Sequence, residues 1–109
     1  MSLSRLCTAL GYTPVAFASG RQFLESLSAD TQRPDCLLVD AHMPDMTGLE
    51  LHHQLGRSGR RFPLIVMTAD DTVEVRQRYV DAGVSDYLSK PVDSASLIGA
   101  IQRALAPVK

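Results

Sequence analysis

Three polar side chains in this sequence follow apolar runs of the kind that form buried strands. Asp40 ends the run CLLVD, Thr68 ends LIVMT, and Lys90 comes directly after DYLS. Because active residues of open parallel sheets collect at the carboxyl ends of the strands, we expect these side chains to converge. A carboxylate can attack a phosphoryl group, while an ammonium and a hydroxyl can stabilise its oxygens. The trio therefore predicts a phosphoryl-accepting site with Asp40 as the nucleophile.

Each of the three residues also has a purely structural explanation when it is taken alone. Asp40 can be a helix cap, Thr68 a hydroxyl at a strand end, and Lys90 a solvated loop charge. Their combination favours chemistry, and Ala69, directly after Thr68, leaves steric room for an incoming group.

The elements that must position these residues alternate along the chain. Four strand patterns are recognisable, PVAFA (14–18), CLLVD (36–40), LIVMT (64–68) and DYLS (86–89), together with five helix patterns. The helix starts are marked by capping residues, which are Ser19, Thr47, Asp71 and Asp93. Strands that are apolar on both faces and separated by helices form a parallel sheet with helices on either side. The predicted fold class is therefore an α/β doubly wound parallel sheet.

Length and composition limit the other possibilities. The chain has 109 residues and a formal net charge of −1, so residues 1–109 are interpreted as a single domain without bulk attraction to nucleic acid. No apolar stretch reaches the length of a membrane-spanning helix, and we expect no membrane partner. Cys7 and Cys36 lie in apolar patterns and are predicted to be reduced core residues of a cytoplasmic protein.

The motifs around the trio are similar to those of a known family. Asp40 with MPDMTG, then VMTA with Thr68, then YLSKP with Lys90, resembles the receiver domain of bacterial two-component response regulators, which has a flavodoxin-like fold. The resemblance implies that Asp40 accepts phosphate from a histidine kinase or phosphotransfer protein. It implies a signalling switch for an output domain or partner protein, not a turnover enzyme, and a cis peptide bond at Lys90–Pro91.

The resemblance also assigns roles to the site residues. Thr68 and Lys90 would contact the phosphoryl group, and Thr68 and Tyr87 would reorient together as the switch. Asp40 and the backbone carbonyl of His42 would hold Mg²⁺. Activation would be a population shift of the surface formed by the last two helices and the strand between them.

The sequence departs from this family at its start. Receivers begin with a strand that ends in acidic residues, whereas residues 1–10 contain no carboxylate. We therefore expect an N-terminally truncated receiver-like domain whose sheet has a gap between the PVAFA and CLLVD strands. Exposed strand edges favour association, so a homodimer is one expected consequence. Since Mg²⁺ prefers oxygen ligands, its binding is expected to be weak or absent and phosphorylation to be impaired. Asp70 and Asp71 lie on the same edge and are candidate substitute ligands for Mg²⁺, but we expect Asp70 to be solvated and Asp71 to cap a helix.

Other interpretations were weighed against the receiver. The alternative function is a phosphorylation-independent interaction module, a pseudo-receiver whose last helix and strand dock a partner. A zinc site at His42, His52 and His53 is disfavoured because adjacent helical residues point about 100° apart. A haloacid-dehalogenase-like phosphatase would carry a second Asp two positions after Asp40, and this chain has His42 there.

Overall fold

Five helices and three strands make up the described part of the chain. The computed structural model describes residues 3–15, 17, 19–28, 34–43, 45–57, 59, 62–69 and 72–105. The helices are α1 (Leu3–Ala9), α2 (Gly20–Ser28), α3 (Gly48–Arg57), α4 (Val73–Ala82) and α5 (Ser94–Leu105). The strands are β1 (Leu37–Asp40), β2 (Leu64–Thr68) and β3 (Asp86–Ser89).

The three strands form one parallel sheet in the order β1-β2-β3. Leu37 pairs with Leu64, and Ile65 pairs with Asp86, so the strands lie in register along their whole lengths. β2 is the central strand, and all five of its residues are buried. Strands covered on both faces in this way confirm the predicted α/β doubly wound class.

The predicted PVAFA strand is not part of the described sheet. Pro14, Val15 and Phe17 have no strand conformation, and Ala16 and Ala18 lie outside the described residues. A strand is defined by hydrogen bonds to a neighbour, and this segment has no described strand beside it. It faces β1 across a cavity of about 920 Å³ that both segments line. The prediction of a fourth strand was therefore wrong for Pro14, Val15 and Phe17.

The core lies on both faces of the sheet. One core cluster packs α2, α3 and α4 against the sheet; its fully buried members include Phe23, Leu27, Val39, Leu51, Leu55, Leu64, Val66 and Tyr79. The other packs α1 and α5 on the opposite face; its buried members are Cys7, Ile65, Leu97, Ala100 and Ile101. The alternation of neighbouring β2 residues between the two clusters follows from the two-residue period of a strand.

The helix ends follow the predicted capping patterns with one exception. Ser19 Oγ accepts a hydrogen bond from Gln22 N–H at 3.1 Å, and Asp93 Oδ1 accepts one from Ser96 N–H at 2.7 Å. The N-cap of α4 is Thr72, whose side chain accepts from Val75 N–H at 3.2 Å. The sequence had suggested the preceding residue, Asp71, which lies outside the described residues; both residue types cap well, so sequence pattern alone does not separate them.

Both cysteines carry free thiols, as predicted. Cys7 is buried against α5, and Cys36 is half-buried at the start of β1. Burial raises the pKa of the Cys36 thiol to about 11, so it is protonated and unreactive at neutral pH. Across the described ranges, no helix combines the length and the apolar character that crossing a bilayer requires.

Candidate functional site

The carboxyl edge of the sheet brings together three residues that the sequence singled out. Asp40 is the last residue of β1, Thr68 is the last of β2, and Lys90 follows β3 directly. The Lys90 Nζ atom donates a hydrogen bond to Asp40 Oδ2 and forms an ion pair with it. Thr68 is fully buried, and its carbonyl oxygen accepts a hydrogen bond from Lys90 N–H at 2.7 Å.

The backbone after each strand fixes the direction of these side chains. Asp40 Oδ1 accepts a hydrogen bond from His42 N–H at 3.0 Å, which holds the carboxylate over the turn that follows β1. The Lys90–Pro91 peptide bond is cis, as the resemblance implied. Parallel pairing, with Asp40 opposite Met67 and Thr68 opposite Ser89, keeps the three strand ends level.

Opposing influences act on the Asp40 carboxyl group. Desolvation raises its pKa, but the hydrogen bond and charge of Lys90 and the His42 N–H outweigh it, so the pKa of Asp40 lies below its usual value. The side chain is 41% exposed, so solvent screens the pair and its contribution to stability is small. That contribution is present above the usual carboxyl pKa and is lost as the pH falls through the folded-state value.

Replacing Lys90 by glutamine should raise the pKa of Asp40. Desolvation would then be opposed by His42 alone, because the Lys90 charge and its hydrogen bond are the other causes that lower this pKa. An NMR titration of the Asp40 carboxyl carbon measures the change. Arg103→Gln is the matched control, since Arg103 pairs with Asp86 at 2.9 Å, at the opposite end of β3. An unchanged Asp40 pKa in Lys90→Gln would show that the ion pair is not populated in solution.

The loop after β1 is held by a residue that sequence analysis did not single out. Asp45 accepts hydrogen bonds from Gly20 N–H at 3.2 Å and from Arg21 N–H at 2.8 Å, so it caps the start of α2. These bonds, the one from Arg21 N–H most of all, lower the pKa of Asp45. The contact joins α2 to the loop after β1, which contains the turn at Asp40. Because its two partners lie far apart in the sequence, no local sequence pattern predicts it.

Tyr87, the proposed switch residue, is buried in β3. Its ring lies 5.6 Å from the Tyr79 ring, and the Arg76 guanidinium lies 4.8 Å from its centroid. Both neighbours come from α4, so the position of this ring is coupled to that helix. The contact of Arg76 with an aromatic ring was another feature that the sequence did not indicate.

The described residues do not form a magnesium site by themselves. Of the two ligands that the resemblance implied, the Asp40 carboxylate is already paired with Lys90, and His42 follows it by two residues. Within the described ranges, no cluster of three or more metal-binding side chains occurs. Mg²⁺ prefers octahedral oxygen coordination, and one compensated carboxylate is a poor ligand set for it. Asp70 and Asp71, considered as substitutes, lie outside the described residues.

Two of the histidines, His52 and His53, make described contacts. His52 Nε2 lies 2.7 Å from the Ala82 carbonyl oxygen, which joins α3 to the end of α4. The rings of His52 and His53 have their centroids 6.3 Å apart at a tilt of 47°. His52 is thus engaged by a backbone carbonyl.

A parallel α/β sheet with an aspartate, a threonine and a lysine at its carboxyl edge defines a receiver-like signalling domain. The sequence matches the response regulator receiver domain family over residues 1–102. The chain therefore belongs to the response regulator receiver domain family, and it is a receiver domain of two-component signalling.

Relatives with known names agree with this assignment. The chain is 38% identical over 108 residues to the response regulator MprA of Mycobacterium ulcerans (strain Agy99), covering 99% of this chain and 46% of that protein. The same identity and coverage hold for MprA of Mycobacterium leprae (strain TN). The chain thus spans about half the length of these curated relatives.

Solved structures share the fold. The crystal structure of FixJ-N aligns with a TM-score of 0.82 and 32% identity, covering 94% of this chain and 81% of that one. A response regulator receiver protein from Burkholderia phymatum aligns with a TM-score of 0.81 and 34% identity, covering 97% of this chain and 87% of that one. These likenesses confirm the flavodoxin-like architecture.

Proposed function

We propose that this domain is a phosphoacceptor in which Asp40 receives a phosphoryl group from a histidine kinase or phosphotransfer protein. The observation that carries the proposal is the ion pair between Asp40 and Lys90 at the carboxyl edge of a receiver sheet. Response regulators are typically cytoplasmic, so we propose a cytoplasmic location for this domain. An output domain or partner protein would read its state.

The groups at this edge can supply the nucleophile and part of the charge stabilisation that phosphoryl transfer requires. An Asp40 carboxylate oxygen attacks phosphorus as the N–P bond of a phosphohistidine breaks, and the bonding electron pair stays on the imidazole. The lowered pKa of Asp40 keeps the nucleophile ionised at neutral pH. Lys90, already in contact with the carboxylate, neutralises the added charge, while the Thr68 hydroxyl donates to a phosphoryl oxygen. Ala69 is exposed and leaves room for the group.

Mg²⁺ would neutralise charge on the transferring phosphoryl oxygens when it is bound, with Asp40 and the His42 carbonyl as its protein ligands. Since the described residues contain no group of three or more metal-binding side chains, we propose that metal binding is weak. A carboxylate missing from a divalent site lowers its affinity by roughly tenfold or more if water does not fully replace it. Phosphorylation of this chain would then be correspondingly inefficient.

The proposed switch runs through Thr68 and Tyr87. These residues lie two register steps apart on neighbouring strands, where Val66 pairs with Tyr87 and Thr68 with Ser89. A hydroxyl drawn toward the phosphoryl group would leave space that the Tyr87 ring can enter. Because Tyr87 contacts Tyr79 and Arg76, that movement would change the surface of α4, β3 and α5.

A phosphorylation-independent interaction module is the second candidate function. It is favoured by exposed apolar side chains on α4, which a partner could contact without any phosphoryl group. In that case the surface of α4, β3 and α5 would bind its partner constitutively. Val73 and Val80 are exposed on α4, at 79% and 56%, and offer apolar contacts for such a partner.

A Mg²⁺ titration followed by NMR discriminates between these functions. For the phosphoacceptor, we expect shifts confined to the amides around Asp40 and His42, saturating only above millimolar Mg²⁺ because the ligand set is small. An equal concentration of Na⁺ at matched ionic strength is the control for screening. Shifts that are absent, or that are the same for both ions, would reject the phosphoacceptor and favour the interaction module.

A further inference from the structure

The start of α2 is capped partly by a residue from the loop after β1. The first N–H groups of a helix find no acceptor within the helix and need one from outside it. Ser19 Oγ accepts a hydrogen bond from Gln22 N–H at 3.1 Å, which is the local contact of an N-cap. Asp45 accepts bonds from the two preceding N–H groups, those of Gly20 and Arg21, with one carboxylate oxygen for each. The cap of α2 is thus completed from a distant part of the chain.

The same loop also packs closely against the backbone of α2. Gly20 is buried, and a Cβ atom at this position would lie 2.6 Å from Met46 Sδ and 2.8 Å from Met46 Cγ. A larger residue than glycine would therefore displace the Met46 side chain. Asp45 and Met46 are neighbours in the loop, so hydrogen bonds and close packing together fix this part of the loop on the first turn of α2.

The two sides of the loop are joined by backbone contacts. His42 and Thr47 form an isolated antiparallel bridge, and Met43 N–H donates a hydrogen bond to the Met46 carbonyl oxygen at 3.1 Å. These contacts link the residues that follow Asp45 to the residues that directly follow β1. A displacement of Asp45 is therefore passed to His42.

His42 in turn holds the phosphoacceptor. Its N–H donates to Asp40 Oδ1 at 3.0 Å, while Lys90 is bonded to the other carboxylate oxygen. We propose that Asp45 is a positioning residue for the phosphoryl-accepting site. Its bonds to α2 hold the loop where His42 N–H keeps the Asp40 carboxylate in place. Asp45 acts through the loop and touches no reacting atom, and its effect on phosphate uptake rests on the function proposed for Asp40.

A comparison of Asp45→Ala with Ser19→Ala in the full chain tests the proposal. Both substitutions remove a cap from α2, but only Asp45 connects that helix to the loop. If Asp45 served only as a helix cap, the two variants would affect Asp40 and His42 in the same way. Urea unfolding of both variants measures the stability that each cap contributes.

Amide hydrogen exchange followed by NMR gives the first measurement, and it is made without Mg²⁺ or phosphate. In Asp45→Ala, the amides of Gly20, Arg21 and His42 should exchange about tenfold faster, because the bonds that protect them are lost or less populated. In Ser19→Ala, the Gln22 amide should exchange faster, while the His42 amide should keep its native rate.

The initial rate of phosphate uptake from radiolabelled acetyl phosphate and Mg²⁺ gives the second measurement. In Asp45→Ala the rate should fall about tenfold, because a nucleophile that is out of position reacts more slowly. Ser19→Ala should take up phosphate at the native rate. Asp45→Asn keeps one acceptor oxygen for the two N–H groups of α2, so its rate should fall only about threefold.

Each outcome decides the proposal. It is overturned if His42 exchange or phosphate uptake is unchanged in Asp45→Ala, or if Ser19→Ala changes both as strongly. Where Asp45→Ala does not fold, Asp45→Asn is compared with Ser19→Ala by the same two measurements. A native chain that takes up no phosphate would reject the proposed function of Asp40, and His42 exchange alone would then decide whether Asp45 positions the loop.

Discussion

An Asp40→Asn variant should take up no phosphate from radiolabelled acetyl phosphate and Mg²⁺, whereas the native chain should take up a small, measurable amount. The amide has nearly the shape of the carboxylate but lacks its nucleophilic oxygen, so no acyl phosphate can form. Loss of a nucleophile lowers enzymatic rates by about a thousandfold or more, and we expect uptake to fall to the background of the assay. The substitution also removes the ion pair with Lys90, but that pair is screened by solvent and contributes little to stability.

The matched control for this experiment is Asp86→Asn. Asp86 is the first residue of β3, at the opposite end of the sheet from Asp40, and it pairs with Arg103. Its amide variant should therefore leave phosphate uptake close to the native level. Label retained by Asp40→Asn, or lost equally in both variants, would contradict the assignment of Asp40 as the acceptor. Rapid uptake at submillimolar Mg²⁺ by the native chain would contradict only the proposed weakness of metal binding.

The largest expected loss of stability comes from Leu97→Ala in α5. Leu97 is 1% exposed and packs with Cys7, Ile65, Ala100 and Ile101 in the cluster that joins α1 and α5 to the sheet. Removing a buried leucine side chain leaves a cavity and costs about 2–5 kcal/mol of unfolding free energy. That is a large share of the roughly 5–15 kcal/mol that stabilises a typical domain, so part of the population should unfold at physiological temperature.

Leu105→Ala in the same helix provides the comparison. Leu105 is 38% exposed at the last turn of α5, so its truncation should cost less than about 1 kcal/mol. Urea unfolding followed by circular dichroism measures both variants. Equal losses would show that α5 is not packed on the sheet as the structure describes. A loss in Leu97→Ala without a change in the slope of the transition would support simple cavity formation.

Much of the site could be predicted because the signals that mark it are local. The apolar runs that end in Asp40 and Thr68 place those residues at strand ends, since strand burial and its termination depend on adjacent residues. The parallel arrangement follows from the intervening helices, and it brings the strand ends to one edge whatever the details of packing. The sequence predicted that Asp40 and Lys90 would lie close together, and the structure adds that they form an ion pair.

Features that join distant segments were decided only by the tertiary structure. The sequence of residues 14–18 is apolar and typical of a strand, yet the described residues of this segment are not part of the sheet. Strand pairing depends on a neighbouring strand, which lies elsewhere in the sequence. Asp45 caps α2 across sequence separations of 24 and 25 residues, and Arg76 lies over Tyr87 from another element. The sequence by itself determined the order of elements and the chemistry at their ends, because both depend on local pattern. Three-dimensional packing alone decided which strand edges are paired, since the free energy of strand pairing arises between segments far apart in the chain.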